Sequence, residues 1–243
     1  MIKVKNISKS YKDAIVLNNV SLEINKGDFT AVMGPSGSGK STLLYSISSM
    51  DNPDEGEVIF EGIDVYKLSE SELSKFRLNK MGFVFQNSQM LKNLSILDNI
   101  ILPGMVAKRE SIEVVRARAT ELMSKMGIED IKDRDIREVS GGQLQRAAIC
   151  RAMINSPEIL FMDEPTGALN SEAASQVMEI LKKLNQEGIS IMLVTHDAKM
   201  ASMAKNVIYI KDGKLAGEIK LSNEKEALAE LDFWLRGQTS LIC

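Results

Sequence analysis

"FTAVMGPSGSGKST", residues 29–42, decides the fold class. Its first five residues, Phe29 to Met33, read as a strand that runs without a break into a glycine-rich loop. An apolar helical pattern, "STLLYSISSM" at 41–50, follows at once. Strand, loop and helix in that order are the setting of a phosphate-cradling loop. Gly34, Gly39, Lys40 and Ser41 fit the spacing G-x-x-x-x-G-K-[ST]. The glycines let backbone N–H groups wrap phosphate oxygens, Lys40 reaches the β and γ oxygens, and the Ser41 hydroxyl ligates Mg²⁺. Pro35, Ser36, Gly37, Ser38 and Thr42 complete the candidate cradle.

Short strand-like runs flank this unit. "IKVKNI", "VSLEI" and "GEVIFEGIDV" are closely spaced and predict an antiparallel sheet near the N-terminus. From about 68 to 156 the pattern is mostly helical. "RESIEVVRARATELMSKMGI" places apolar residues at helical spacing with charges opposite, and Gly127 supplies a stop. The last third alternates: "EILFMDE" reads as a buried strand, "SEAASQVMEILKKLNQEG" as a helix and "ISIMLVTH" as a strand. "NVIYIKDGKLAGEIKL" reads as a hairpin turning at Asp212-Gly213, and "NEKEALAELDFWLRG" as a short amphipathic helix. Strands alternating with helices imply a parallel α/β core.

Composition narrows the class. The 243 residues are 44% hydrophobic and 26% charged, as in an ordinary globular protein, and the formal net charge is −3. No basic bias points to nucleic acid as a partner. The N-terminus has no apolar core of signal-peptide length, and no run reaches 18 apolar residues. A membrane role must therefore come through a partner. Cys150 and Cys243 cannot form a framework, which fits a reduced cytosolic setting.

Four further positions are candidates for chemistry. Asp163 and Glu164 end a buried strand, and ligands of an open α/β sheet sit beyond the carboxyl ends of its strands. Asp163 is placed to hold the Mg²⁺ shell and Glu164 to polarise a water for attack on the γ-phosphate. An acidic turn after a strand is common, and the Lys40 loop is what favours the functional reading. His196, the only histidine, follows the next buried strand. A lone histidine is more often structural, but this position suggests contact with the γ-phosphate or the attacking water. Gln86 ends the short apolar run "GFVF" and is either a loop residue or a neutral oxygen ligand of Mg²⁺. Tyr11, upstream of the loop, could stack on adenine, although packing on the small sheet is the plainer reading.

"EVSGGQLQR", 138–146, opens another apolar helical pattern. Ser140 and Gln143 fit the capping box S-x-x-Q, which explains two residues. It leaves Gly141 and Gly142, each weakening a helix by ~1 kcal/mol relative to alanine. Bare amides at a helix start suit an anion. The Lys40 loop already serves one nucleotide, so this second site should serve a different phosphate.

Together these residues resemble the ATP-binding subunit of an ABC transporter. The likeness runs through nearly the whole chain in the right order. It takes in Tyr11, the Walker A loop at 34–42, Gln86, the signature "VSGGQ" at 139–143, the Walker B strand ending in Asp163-Glu164, the "GALN" loop at 167–170 and His196. The resemblance implies a P-loop NTPase core of α/β class with an N-terminal antiparallel β subdomain and an inserted α-helical subdomain. It implies a single ABC ATP-binding domain over 1–243, with the helical part near 88–157 and a C-terminal tail at 222–243. It implies ATP and Mg²⁺ as cofactors and a homodimer packed head to tail. In that dimer Ser140, Gly141, Gly142 and Gln143 of one copy meet the ATP held by the Lys40 loop of the other, a C₂ arrangement. The segment around Gln86 and the following helices would dock on a transmembrane permease, placing the chain peripherally at the cytoplasmic face of the membrane. "DEPTGAL", "NSQMLKNLSILDNI" and "VTHDAKMAS" look most like exporters of the antimicrobial-peptide, macrolide and lipoprotein-release group. The alternative is a regulatory ABC ATPase of cell-wall or cell-division machinery, which would share every motif. Three residues depart from the family pattern: Val139 for leucine, Leu144 for a polar residue, and Asn170 for the usual aspartate. Only Asn170 bears on hydrolysis.

Overall fold

The computed structural model describes residues 1–12, 14–222 and 225–240, so Cys243 lies outside the described residues. In chain order the strands are β1 (Ile2–Tyr11), β2 (Ala14–Ile24), β3 (Phe29–Met33), β4 (Glu55–Phe60), β5 (Ile63–Asp64), β6 (Met81–Phe85), β7 (Ile159–Asp163), β8 (Ser190–Val194), β9 (Asn206–Lys211) and β10 (Lys214–Lys220). The α-helices are α1 (Lys40–Ile47), α2 (Glu70–Lys80), α3 (Ile96–Ala107), α4 (Ile112–Lys125), α5 (Gly141–Met153), α6 (Ser171–Gln186), α7 (Ala198–Ala201) and α8 (Ala227–Ser240). They form two compact units, Met1–Leu73 with Ser190–Cys243, and Ser74–Ile189.

The first unit holds the expected antiparallel sheet, in the order β2-β1-β4-β5. At the start of β1, Ile2 and Val4 are buried while Lys3 and Lys5 are exposed, the period-2 alternation of a sheet with one covered face. In the same unit β3 lies between β8 and β9 and pairs in parallel with both. All five β3 residues and all five β8 residues are buried, so these strands read as continuous apolar runs rather than alternating ones. β9 and β10 form the expected hairpin. Asp212 and Gly213 have φ of 49° and 72°, the two left-handed residues of a type I′ turn. The helix after the phosphate loop is shorter than its sequence pattern. It ends at Ile47, and Ser49 turns the chain with a φ of 58°.

The second unit pairs β6 with β7 in parallel, with Phe83 stacked on Phe161 at 5.7 Å between ring centroids. β6 interrupts a region that the periodicity predicts as mostly helical. Five residues are too few for a helical period to be told from a buried strand. Helices α3, α4 and α5 follow as expected. α4 ends at Lys125, and Gly127 takes a φ of 63° just beyond it. Cys150 is fully buried in α5, and burial pushes its thiol up to about 12, so it is an inert core residue. Among the described residues no helix is long and apolar enough to cross a membrane.

Candidate active site

In the first unit the phosphate loop joins β3 to α1. Gly34 has a φ of 151°, and a Cβ there would stand 2.0 Å from the Ile210 carbonyl oxygen. Gly39, the N-cap of α1, has a φ of 99°, and its Cβ would stand 2.6 Å from the Val16 carbonyl oxygen. Both positions demand glycine, for conformation and for space. A Cβ on Gly37 would meet nothing within 4 Å, so the crest of the loop is open. The Lys40 side chain lies within the loop and donates to the carbonyl oxygens of Gly34 and Pro35 at 2.9 and 2.7 Å. The Ser38 hydroxyl is buried and has no hydrogen-bond partner among the described residues. That orphan, next to a buried ammonium, is what a site for phosphate oxygens would satisfy.

Register brings His196 to the same edge. Val32 of β3 is opposite Val194 of β8, and the Thr195 N–H donates to the Val32 carbonyl at 3.2 Å. Gly34 and His196 are each two residues further on, and His196 is exposed. Tyr11, at the end of β1, is 45% exposed. Its hydroxyl hydrogen-bonds to Asp51 Oδ2, and Lys9 Nζ lies 5.2 Å from its ring centroid. The hydrogen bond to Asp51, then burial, raise the Tyr11 pKa. Burial pushes the Asp51 carboxyl up, but hydrogen bonds from Lys9 and Tyr11 outweigh it and hold the group below its ordinary range.

In the second unit the β6–β7 register sets Phe85 opposite Asp163, so Gln86 and Glu164 leave neighbouring strands side by side. Gly167 returns between them. A Cβ on it would stand 2.9 Å from Gln86 Nε2 and 3.4 Å from Glu164 Oε2. Glu164 itself has a φ of 46°, an uncommon conformation for a non-glycine residue. The capping box is formed: Ser140 N–H donates to Gln143 Oε1 at 2.9 Å, and Gln143 N–H donates to Ser140 Oγ at 3.3 Å. A Cβ on Gly141 would make ordinary contact with Leu169 at 3.5 Å, while one on Gly142 would press on the Ala173 Cβ at 3.1 Å. Asn170 caps α6, its Oδ1 accepting from the Ala173 N–H at 2.8 Å.

Local patterns did not single out the groups that brace these motifs. Lys9 and Asp51 meet across 42 residues of chain. Around the segment after Gln86, Asn99 is buried and accepts from the Leu91 N–H at 2.7 Å while donating to the Leu91 and Ser95 carbonyls. From α5, Arg151 donates to the Ser88 and Gln89 carbonyls at 2.7 and 2.8 Å, and Gln145 to the Phe85 carbonyl at 3.3 Å. A helical arginine and asparagine carry no local mark of this duty, so sequence spacing alone would not find them.

The family model for "ABC transporter" matches residues 17–167. The chain belongs to the ABC transporter family. Its fold is the α/β cassette of that family, and it is an ATPase. It is 43% identical over 234 residues to the ABC transporter ATP-binding protein YxdL of Bacillus subtilis, covering 95% of this chain and 91% of that one. It is 42% identical over 228 residues to the macrolide export ATP-binding/permease protein MacB of Campylobacter jejuni, covering 94% of this chain and only 35% of the length of MacB. Among solved structures, the dimeric post-hydrolysis state of the cassette MJ0796 of Methanocaldococcus jannaschii, bound to ADP and Pi, matches with a TM-score of 0.85 and 42% identity. The match covers 92% of this chain and all of that one.

Proposed function

We propose that this cassette is the ATP-hydrolysing subunit of a membrane export system, acting as two head-to-tail copies closed around two ATP molecules. The observation that carries this reading is the bare start of α5. The Gly141 and Gly142 N–H groups take no partner among the described residues, as the first amides of a helix must seek one outside it. Packing within the chain asks for a small residue at 142 but not at 141. An anion supplied by a second copy accounts for both glycines. The dimeric state of the MJ0796 cassette supports the pairing.

Within this reading the loop from Gly34 to Thr42 wraps the phosphates, Lys40 turns from loop carbonyls to the β and γ oxygens, and Tyr11 stacks on the base. Ser41, Gln86 and Asp163 would hold Mg²⁺, a donor set of hydroxyl, amide and carboxylate oxygens that suits a hard cation. Bound Mg²⁺ would neutralise charge on the phosphate oxygens. Glu164 polarises the attacking water, and His196 contacts the γ-phosphate or that water. Ser140, Gly141, Gly142 and Gln143 serve the nucleotide of the second copy. The segment from Gln86 into the 88–157 helices docks on a permease, which would hold the chain peripherally at the cytoplasmic face of the membrane. The likeness to MacB, of which this chain spans only a part, supports export and a division of labour in which this chain supplies ATP hydrolysis.

Mixing tests the pairing. Chains carrying Lys40→Ala and chains carrying Ser140→Arg each form copies with two broken sites. A mixed pair has one doubly broken site and one intact site, so ATPase activity should return on mixing. If mixed pairs form and no activity returns, an independently active site shared between copies is ruled out.

A further inference from the structure

We propose that Lys9 and Asp51 form a clamp that presets the Tyr11 ring as a platform for the nucleotide base, making both of them positioning residues for ATP binding. The inference rests on the reading that Tyr11 stacks on that base, and it concerns what holds the ring there.

Lys9 and Tyr11 are two apart on β1 and so project from the same face of the strand. Both converge on one carboxylate. Asp51 Oδ1 accepts from Lys9 Nζ at 2.8 Å, and Asp51 Oδ2 bonds the Tyr11 hydroxyl. Lys9 also donates to the Asn52 carbonyl. The backbone that carries this carboxylate is itself held. The Asp51 and Met50 N–H groups both donate to the Tyr45 carbonyl, and the Tyr66 hydroxyl donates to the Asp51 carbonyl at 3.2 Å. The strand end is stitched to the same turn by Ser10 N–H donating to Asp54 Oδ2 at 2.6 Å and Asp54 N–H donating to the Ser8 carbonyl at 2.8 Å.

Burial makes the arrangement more than a surface ion pair. The Lys9 side chain is only 11% exposed and that of Asp51 30%. A lysine taken so far out of water needs a firm partner, and this one spends its charge on a carboxylate and on an aromatic face. An ammonium within about 6 Å of a ring centroid is attracted by the ring quadrupole. One face of Tyr11 is thereby occupied by a cation and the hydroxyl is tethered, yet the residue remains 45% exposed. The exposed face is left to a planar partner. A ring already fixed loses little freedom when a base stacks on it, which is how preorganisation raises affinity. Stacking reads no base edge and tolerates any base, so the clamp should act alike on ATP and GTP.

Steady-state ATPase and equilibrium nucleotide affinity of the full chain test this, with ATP, GTP and ribose 5′-triphosphate, which has no base. Tyr11→Ala should weaken ATP and GTP about tenfold or more and leave the base-free triphosphate unchanged. Asp51→Ala and the milder Lys9→Met should raise KM for ATP and GTP by about three- to tenfold at nearly constant kcat, and add nothing in a Tyr11→Ala background. Asp51→Asn keeps an acceptor for the phenol and should recover part of the loss. If Tyr11→Ala weakens ATP while both clamp variants bind it normally, the clamp is refuted and the stacking reading stands. Loss of the base-free triphosphate in the clamp variants, or a further loss on top of Tyr11→Ala, would show a merely structural pair and overturn the proposal. If Tyr11→Ala binds ATP normally, the stacking reading fails and the clamp with it.

Discussion

The chain carries two sets of glycines at two helix starts, and they differ in what demands them. At Gly34 and Gly39 the fold itself does. Each has a left-handed φ, and each would drive a Cβ into a backbone carbonyl of its own unit. At Gly141 and Gly142 the backbone is ordinary helix, and the chain resists a methyl group only at 142, where the neighbour is another small side chain. The first loop is therefore a finished cradle, shaped by strands around it. The second is left bare at a cost of ~1 kcal/mol per glycine in helix propensity, with little return inside the chain. A difference of this kind separates a motif the fold must have from one that answers to something outside the fold.

The largest test of that difference uses Glu164. Glu164→Gln keeps size and hydrogen bonding but removes the proposed base, so hydrolysis should fall by ~10²-fold or more while ATP still binds. An ATP-bound pair of copies should then accumulate, visible by size-exclusion chromatography. Adding Gly141→Ala should abolish that pair without lowering the melting temperature. A pair that survives the added methyl would break the assignment of Gly141 to an external ligand.

Thermal stability sharpens the contrast next. Gly34→Ala should destabilise the chain by about 2–4 kcal/mol, through a strained φ and a backbone clash. Gly141→Ala should leave stability unchanged or raise it by up to about 1 kcal/mol. Differential scanning calorimetry reads both, and equal losses would erase the distinction drawn here.

The smallest effect is expected at Asn170. Its side-chain oxygen caps α6, a duty that aspartate performs as well. Asn170→Asp adds a negative charge that suits a helix N-terminus by about 0.3–1 kcal/mol. We expect ATP turnover to rise, by at most about tenfold, as a better polarised water would require, and the ATP-bound pair to loosen. Unchanged turnover and dimer affinity would leave Asn170 as a cap alone, and lower turnover would contradict the expectation.

Legibility followed locality. The strand, loop and helix at 29–47 could be read because motif, strand and helix lie within one short window. The Asp212-Gly213 turn could be read because only a few residues accept two left-handed conformations in a row. The capping box at Ser140 was equally plain. The strand β6 was hidden in a helical region by its shortness. The Lys9–Asp51 pair and the Arg151 contacts to the segment after Gln86 join residues far apart in sequence, and no periodicity registers them.

Glu164 sits where its side chain and its backbone want different things. A φ of 46° is one that glycine adopts freely and a glutamate adopts at a cost of about 1 kcal/mol. Glycine at this position would relieve the backbone and delete the carboxylate in a single change. On the proposed reading of Glu164 as the base, selection for robustness alone would drift toward a better folded and idle protein, and selection for turnover would hold the glutamate in place. In that reading stability and activity are opposed, one against the other, within a single amino acid.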